Sequence, residues 1–235
     1  MANPIAPHHR NVAGGPARAA VFGASDGLVT NVSLVLGVAG AEASGGLVRL
    51  AGLAGLVAGA ISMAAGEYIS MKAQSELLEH EVEMERTELS RHPAAEEAEL
   101  ASLYVKRGIS ERLAKEVASE VMADPERALQ AHAREELGVD LETLSSPWKV
   151  AVSSMAAFIC GAIIPLLPWF FYGGAIAVGL SLTLSAIGAL GFGLALGTLT
   201  GRSRAWSAAR QLLIASLAAG ITFAVGSAVG TGGIG

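Results

Sequence analysis

Residues 61–68 read Ile61-Ser62-Met63-Ala64-Ala65-Gly66-Glu67-Tyr68, the end of an apolar run long enough to cross a membrane. The chain continues as Gln74-Ser75-Glu76-Leu77-Leu78-Glu79-His80-Glu81-Val82-Glu83-Met84-Glu85-Arg86-Thr87-Glu88. No Gly or Pro falls between Gly66 and Pro93, so one helix is predicted to leave a bilayer and run on into water as a carboxylate-covered rod.

Working outward, the acidic part proves to be an insert. Residues 73–142 hold 18 acidic and 8 basic residues, a net of −10. Elsewhere only Asp26, Glu42 and Glu67 are acidic. The chain as a whole is 52% hydrophobic with 29 Gly, too apolar for an ordinary soluble domain. The predicted class is therefore all-α: a polytopic membrane protein with a polar tail (1–18), transmembrane helices one and two (19–72), an acidic helical insert (73–146) and helices three to five (147–235). An anionic insert attracts cations and disfavours nucleic acid. Cys160 is the only cysteine, which excludes an intrachain disulfide and a cysteine-based metal site. In the tail, His8-His9 is a weak candidate metal pair set against a solvated segment.

The spans are predicted near 19–41, 47–72, 148–169, 175–199 and 206–229, since about 20 residues cross the hydrocarbon. Gly52, Gly55 and Gly59 in the second and the run Gly188 to Gly197 in the fourth predict close helix packing. Pro93 and Asp124-Pro125 mark helix starts in the insert, with Ser110 as a further cap and Gly108 and Gly138 as stops. With the N-terminus inside, the inner flanks carry Arg10, Arg18, Lys72, Lys149, Arg202, Arg204 and Arg210, and the outer flanks only Arg49. The positive-inside rule then puts the insert in the cytosol.

Glu81, Glu85, Glu88 and His92 recur at i, i+4, i+7 and i+11, on one stripe of a helix. Stacked carboxylates repel, and a divalent cation removes the repulsion. Oxygen ligands with one or two imidazoles suit Fe²⁺, Mn²⁺ or Zn²⁺. The competing reading is a solvated charged helix. A ferritin-like di-iron centre is not expected, because the residues three before His80, His92 and His132 are Leu77, Leu89 and Leu129, not Glu. In the membrane, Asp26 sits roughly 10 Å deep, and Met63 and Glu67 on the antiparallel second helix roughly 13 and 8 Å deep. The three can meet at one level and pass a metal ion or a proton, with Thr30, Asn31, Ser33 and Ser62 extending a polar track. Alternatively, Asp26 caps a helix starting at Gly27, and Glu67 snorkels to the interface.

Ser25-Asp26-Gly27-Leu28, Gly59-Ala60-Ile61-Ser62-Met63, the acidic helices and Pro165-Leu166-Leu167-Pro168 together closely resemble the vacuolar iron transporter family, from about Val21 to the end of the fifth span. The resemblance implies export of Fe²⁺, and often Mn²⁺, from the cytosol in exchange for protons, with no prosthetic group. It implies a homodimer with the pathway at the two-fold interface, lined by Asp26 and Met63, and metal binding by Glu85, Glu88, Glu96, Glu99 and Glu136. Where the family pattern has a Met pair this chain reads His132-Ala133. His132 is then a candidate replacement ligand, the alternative being a weaker site. A plant-type glutamate of helix two is Gly55 here, and Glu67 stands where that type has Gly. Rival readings are a membrane-anchored metal store or sensor and a scaffold that docks a basic partner. No nucleophile–base pair or cofactor motif supports an enzyme. The Ala- and Gly-rich composition points to a bacterial plasma membrane, with a vacuolar membrane as the alternative.

Overall fold

The computed structural model describes residues 16–136, 138 and 146–231. The N-terminal segment with His8 and His9 lies outside the described residues. The described residues form helices with no strand: α1 (Pro16–Gly40), α2 (Gly45–Arg91), α3 (Pro93–Lys106), α4 (Glu111–Met122), α5 (Pro125–Glu135), α6 (Pro147–Leu166), α7 (Gly174–Thr200) and α8 (Arg204–Thr231), with a 3₁₀ turn at Leu167–Phe170. The chain divides into two compact units, residues 1–69 with 147–235, and residues 70–146. Five helices (α1, α2, α6, α7 and α8) are long and apolar enough to cross a membrane.

In the apolar unit, helices have little hydrophobic drive to associate in lipid, so close approach of backbones must hold them. Gly27 of α1 faces the Phe158 carbonyl of α6, and Gly161 of α6 faces the Ala24 carbonyl in return. A Cβ on either would collide with backbone. Farther out, Gly40 meets Phe223, and Gly226 and Gly230 of α8 meet Gly37 and Ala41. On α7, Gly193 and Gly197 lie against the backbone of Ala208 and Arg204, so part of the predicted glycine run does pack closely, whereas Gly191 faces nothing within 4 Å. The glycines of α2 serve differently. Gly52 receives Leu166 and Val35, Gly55 receives Leu34, and Gly59 receives the Phe158 ring. α2 is seated by side chains in its notches.

Buried polar groups tie the same helices. The Asn31 side-chain amide donates to the Ala162 carbonyl at 2.6 Å, and Ser181 Oγ donates to the Pro165 carbonyl at 2.6 Å. Arg49 donates to the Trp169 carbonyl at 3.1 Å, fastening α2 to the 3₁₀ turn. At the opposite end the Tyr68 and Trp148 rings meet at a tilt of 44°, with centroids 4.6 Å apart, in keeping with aromatic anchoring at a bilayer surface.

α1 runs through Asp26 without interruption, so Asp26 is an interior helix residue and not the cap of a helix beginning at Gly27. α2 likewise has no break between its apolar and acidic parts. Of the predicted caps, Asp124 accepts from the amides of Glu126 and Arg127, while Ser110 occupies the N-cap position without a side-chain hydrogen bond.

Gly161→Val should destabilise the protein by about 1–3 kcal/mol, the usual cost of overpacking. Gly66→Ala, whose added Cβ would meet nothing within 4 Å, should stabilise α2 by up to about 1 kcal/mol. Thermal unfolding of the two purified variants in detergent checks both, and equal shifts would refute the packing argument.

Candidate metal centre

The acidic unit owes its small core to short side chains at helical spacing. Leu100 and Ala101 of α3 pack on Ala118 of α4, with Tyr104, Val121 and Ala131 around them. His92 and Pro93 turn the chain from α2 into α3, Pro93 taking the first helical position where its missing N–H costs nothing. Asp124 and Pro125 repeat the device for α5. Three helices then converge. α2 supplies Glu85, α3 supplies Glu96, and the last turn of α5 with the C-cap after it supplies His132 and Glu136.

One ligand atom from each of these four residues lies within 4.8 Å of the other three. His132 is fully buried, and its Nδ1 stands 2.9 Å from Glu136 Oε1, 3.0 Å from Glu85 Oε1 and 3.7 Å from Glu96 Oε2. Ligands bound about 2.1 Å from a metal sit about 3.0–3.5 Å from one another, so the spacing suits a single ion. Glu85 Oε1 faces a His132 Nδ1 already engaged by Glu136 and is buried with no hydrogen bond of its own among the described residues, which is costly unless something else satisfies it.

The electrostatics point the same way. Burial, reinforced by the Glu136 charge, pushes the Glu85 carboxyl above its ordinary value, against the opposing pull of His132. Burial does the same to Glu96, with Glu99, Glu136 and Glu88 adding to it. Two like charges 4 Å apart repel by about 4 kcal/mol at an effective dielectric constant of 20. A cation relieves that repulsion, and three carboxylate oxygens with one imidazole nitrogen suit Fe²⁺, Mn²⁺ or Zn²⁺.

The other proposed ligands are not among these four, although the charges of Glu88 and Glu99 reach them. Glu88 and His92 pair with each other at 2.8 Å on an exposed face. Glu81 is half-buried and Glu99 exposed. The stripe on α2 thus contributes one residue to the four, and the rest come from other helices. Sequence spacing did not single out the adjacent pair: Arg107 donates to Glu135 at 2.8 Å and holds its second oxygen at 2.5 Å. The partners are 28 positions apart, with no local pattern to join them. The pair takes the Glu135 charge out of play and ties the end of α5 to that of α3.

In the membrane unit, Asp26 is half-buried and accepts from Thr30 Oγ1 at 3.4 Å, while Ser25 next to it accepts a hydrogen bond from Gln211 of α8. Met63 packs on the cluster of Ala60, Phe158 and Ala162. Phe158 also borders Gly27 through its backbone, so Met63 and the residue after Asp26 share one neighbour. Glu67 is half-buried. No hydrogen bond or ion pair among the described residues links Asp26 to Glu67.

The VIT family model matches residues 17–227. The chain is 42% identical over 180 residues to a vacuolar iron transporter of Acanthamoeba castellanii, covering 74% of this chain and 65% of that protein's length. It is 31% identical over 216 residues to a vacuolar iron transporter of Centaurea cyanus, covering 92% and 88%. With vacuolar iron transporter 1 of Arabidopsis thaliana it shares 31% identity over 226 residues, covering 94% and 90%. With five membrane-length helices and a match spanning nearly its whole length, the chain is an integral membrane protein that belongs to the VIT family.

Proposed function

We propose that the protein is a metal transporter, not an enzyme, and that it moves Fe²⁺, and with it Mn²⁺, out of the cytosol in exchange for protons. The observation that carries the reading is the convergence of Glu85, Glu96 and Glu136 on the buried His132, in a chain whose relatives are named vacuolar iron transporters. The acidic unit captures cytosolic metal. Its negative charge raises the local cation concentration, and the four ligands replace part of the ion's water shell. Zn²⁺ fits the same donors as a competitor.

Capture and release are linked to protons, since metal and proton compete for the same oxygens. Asp26, Met63 and Glu67 are the stations in the membrane, offering two carboxylates and a thioether. An ionised group on a membrane helix is costly unless it faces protein or water. The stripe of Asp26 and the exposed Thr30 on α1 is therefore assigned to the two-fold interface of a homodimer, where a second copy shields it. The basic residues at the inner ends of the spans support a cytosolic insert, and a vacuolar membrane fits the relatives' names.

Asp26→Ala should abolish Fe²⁺ flux into proteoliposomes under an imposed pH gradient while leaving Fe²⁺ binding intact. His132→Ala should weaken binding at least about tenfold, the low end of what loss of an outer-shell partner costs. Binding without flux in the wild type would identify a metal store or sensor, and wild-type flux in Asp26→Ala would remove Asp26 from the pathway.

The raised carboxyls of Glu85 and Glu96 also fix a pH dependence. In the folded, metal-free unit they keep protons at a pH where the unfolded chain, with glutamate near pKa 4.3, has released them. Their contribution to stability is complete below that value and is lost as pH rises through the folded values. Protection factors of the metal-free protein around residues 85 and 132, with the intrinsic pH dependence of amide exchange divided out, should therefore be lower at pH 7.5 than at pH 5, and added Mn²⁺ should raise them at pH 7.5. Protection factors higher at pH 7.5 than at pH 5 without metal would contradict the charge arrangement.

A further inference from the structure

The inner end of α8 carries positive charge that the metal pathway does not use. Residues 147–235 contain Lys149, Arg202, Arg204 and Arg210 and not one Asp or Glu. Arg202, Arg204 and Arg210 are exposed, and none of their guanidinium groups forms an ion pair or hydrogen bond with a described residue. A left-handed Gly201 (φ 66°) turns α7 into α8, and Ser203 Oγ accepts from the Trp206 amide at 3.3 Å. The first turn of α8 has no acidic residue, although two arginines stand at the positive end of its dipole.

Trp206 and Arg210 are one turn apart on the same face, and that face continues through Leu213, Leu217 and Ile221, all exposed. This is the lipid side of a membrane-length helix, with Trp206 68% exposed at its inner edge. Arg210 lies six residues beyond Arg204, about 9 Å along the axis, where a bare guanidinium is costly. Helical side chains lean toward the helix N-terminus, so an arginine at this position can reach back past Trp206 to the polar surface.

We propose that this face binds the phosphate of an anionic phospholipid, held by Arg210 from the helix and by Arg202 and Arg204 from the turn, with the Trp206 ring beside the glycerol region. Charge complementarity selects the lipid over a second copy of the chain. A two-fold contact through this face would bring two copies of the same arginine cluster together, and residues 147–235 offer no carboxylate to relieve it.

The test is native mass spectrometry of the full-length protein in phosphatidylcholine nanodiscs with and without phosphatidylglycerol. The wild type should retain phosphatidylglycerol preferentially, less so at high salt. Arg210→Gln should lower retention about fivefold, the share of one basic residue near an anionic surface. The double variant Arg202→Gln/Arg204→Gln, confined to the exposed turn, provides a second reading if Arg210→Gln fails to fold. Retention equal to wild type in a folded variant would overturn the proposal. So would displacement of the lipid by inorganic phosphate, which marks a free-anion site, or a change of oligomeric state with lipid retention unaltered, which marks a contact between copies.

Discussion

The crossing of α1 over α6 at Gly27 and Gly161 is the contact on which the membrane unit depends. Each glycine lets the other helix's backbone occupy the space of a side chain. Such contact replaces the hydrophobic drive that lipid removes. It also sets the rotation of α1. With the glycine face turned to α6, the buried face takes Leu28, Val32, Val35 and Leu36, and Asp26 with Thr30 is left on another side. The position of the one carboxylate in α1 is thus a by-product of where the small residues fall.

The acidic unit solves the opposite problem. Its charges would drive its helices apart, and its core is only a few Leu and Ala side chains. Its charges are balanced in particular ways, across helices at the end of α5 and locally along α4. Arg107 neutralises Glu135, Lys115 pairs with Glu111, and Arg112 pairs with Glu116. Glu85, Glu96 and Glu136 have no basic Lys or Arg partner among the described residues, only His132. The surplus is concentrated around one buried histidine, the point where the proposed cation would complete the balance.

Much of this was legible in the residues. Five apolar runs, the unbroken Gly66–Pro93 stretch and the Pro93 and Asp124 signals each act along a single contiguous segment, and each appears in the helices observed. Helical spacing also placed Glu85 on a stripe of carboxylates. It did not separate Glu85 from Glu81 and Glu88, because all three share a face and only the arrival of α5 distinguishes them. His132 was suggested by a family resemblance, and its full burial beside Glu85, 47 positions earlier, is a tertiary fact. The glycines show the same limit. Gly27 and Gly52 look alike as letters, yet one admits a backbone and the other a leucine side chain.

The unbroken course of α2 has a consequence for how such chains can diverge. Along one helix every inserted residue turns all that follows by about 100°. Within the acidic unit, Glu85 and the Pro93 turn that launches α3 toward Glu96 lie on that course, so one extra residue between Glu85 and Arg91 would swing the start of α3 through more than a quarter of a circle relative to Glu85, with no loop to absorb the error. Seven extra residues would nearly restore the phase. The segment between Glu85 and Pro93 is therefore under a constraint of length as well as of composition.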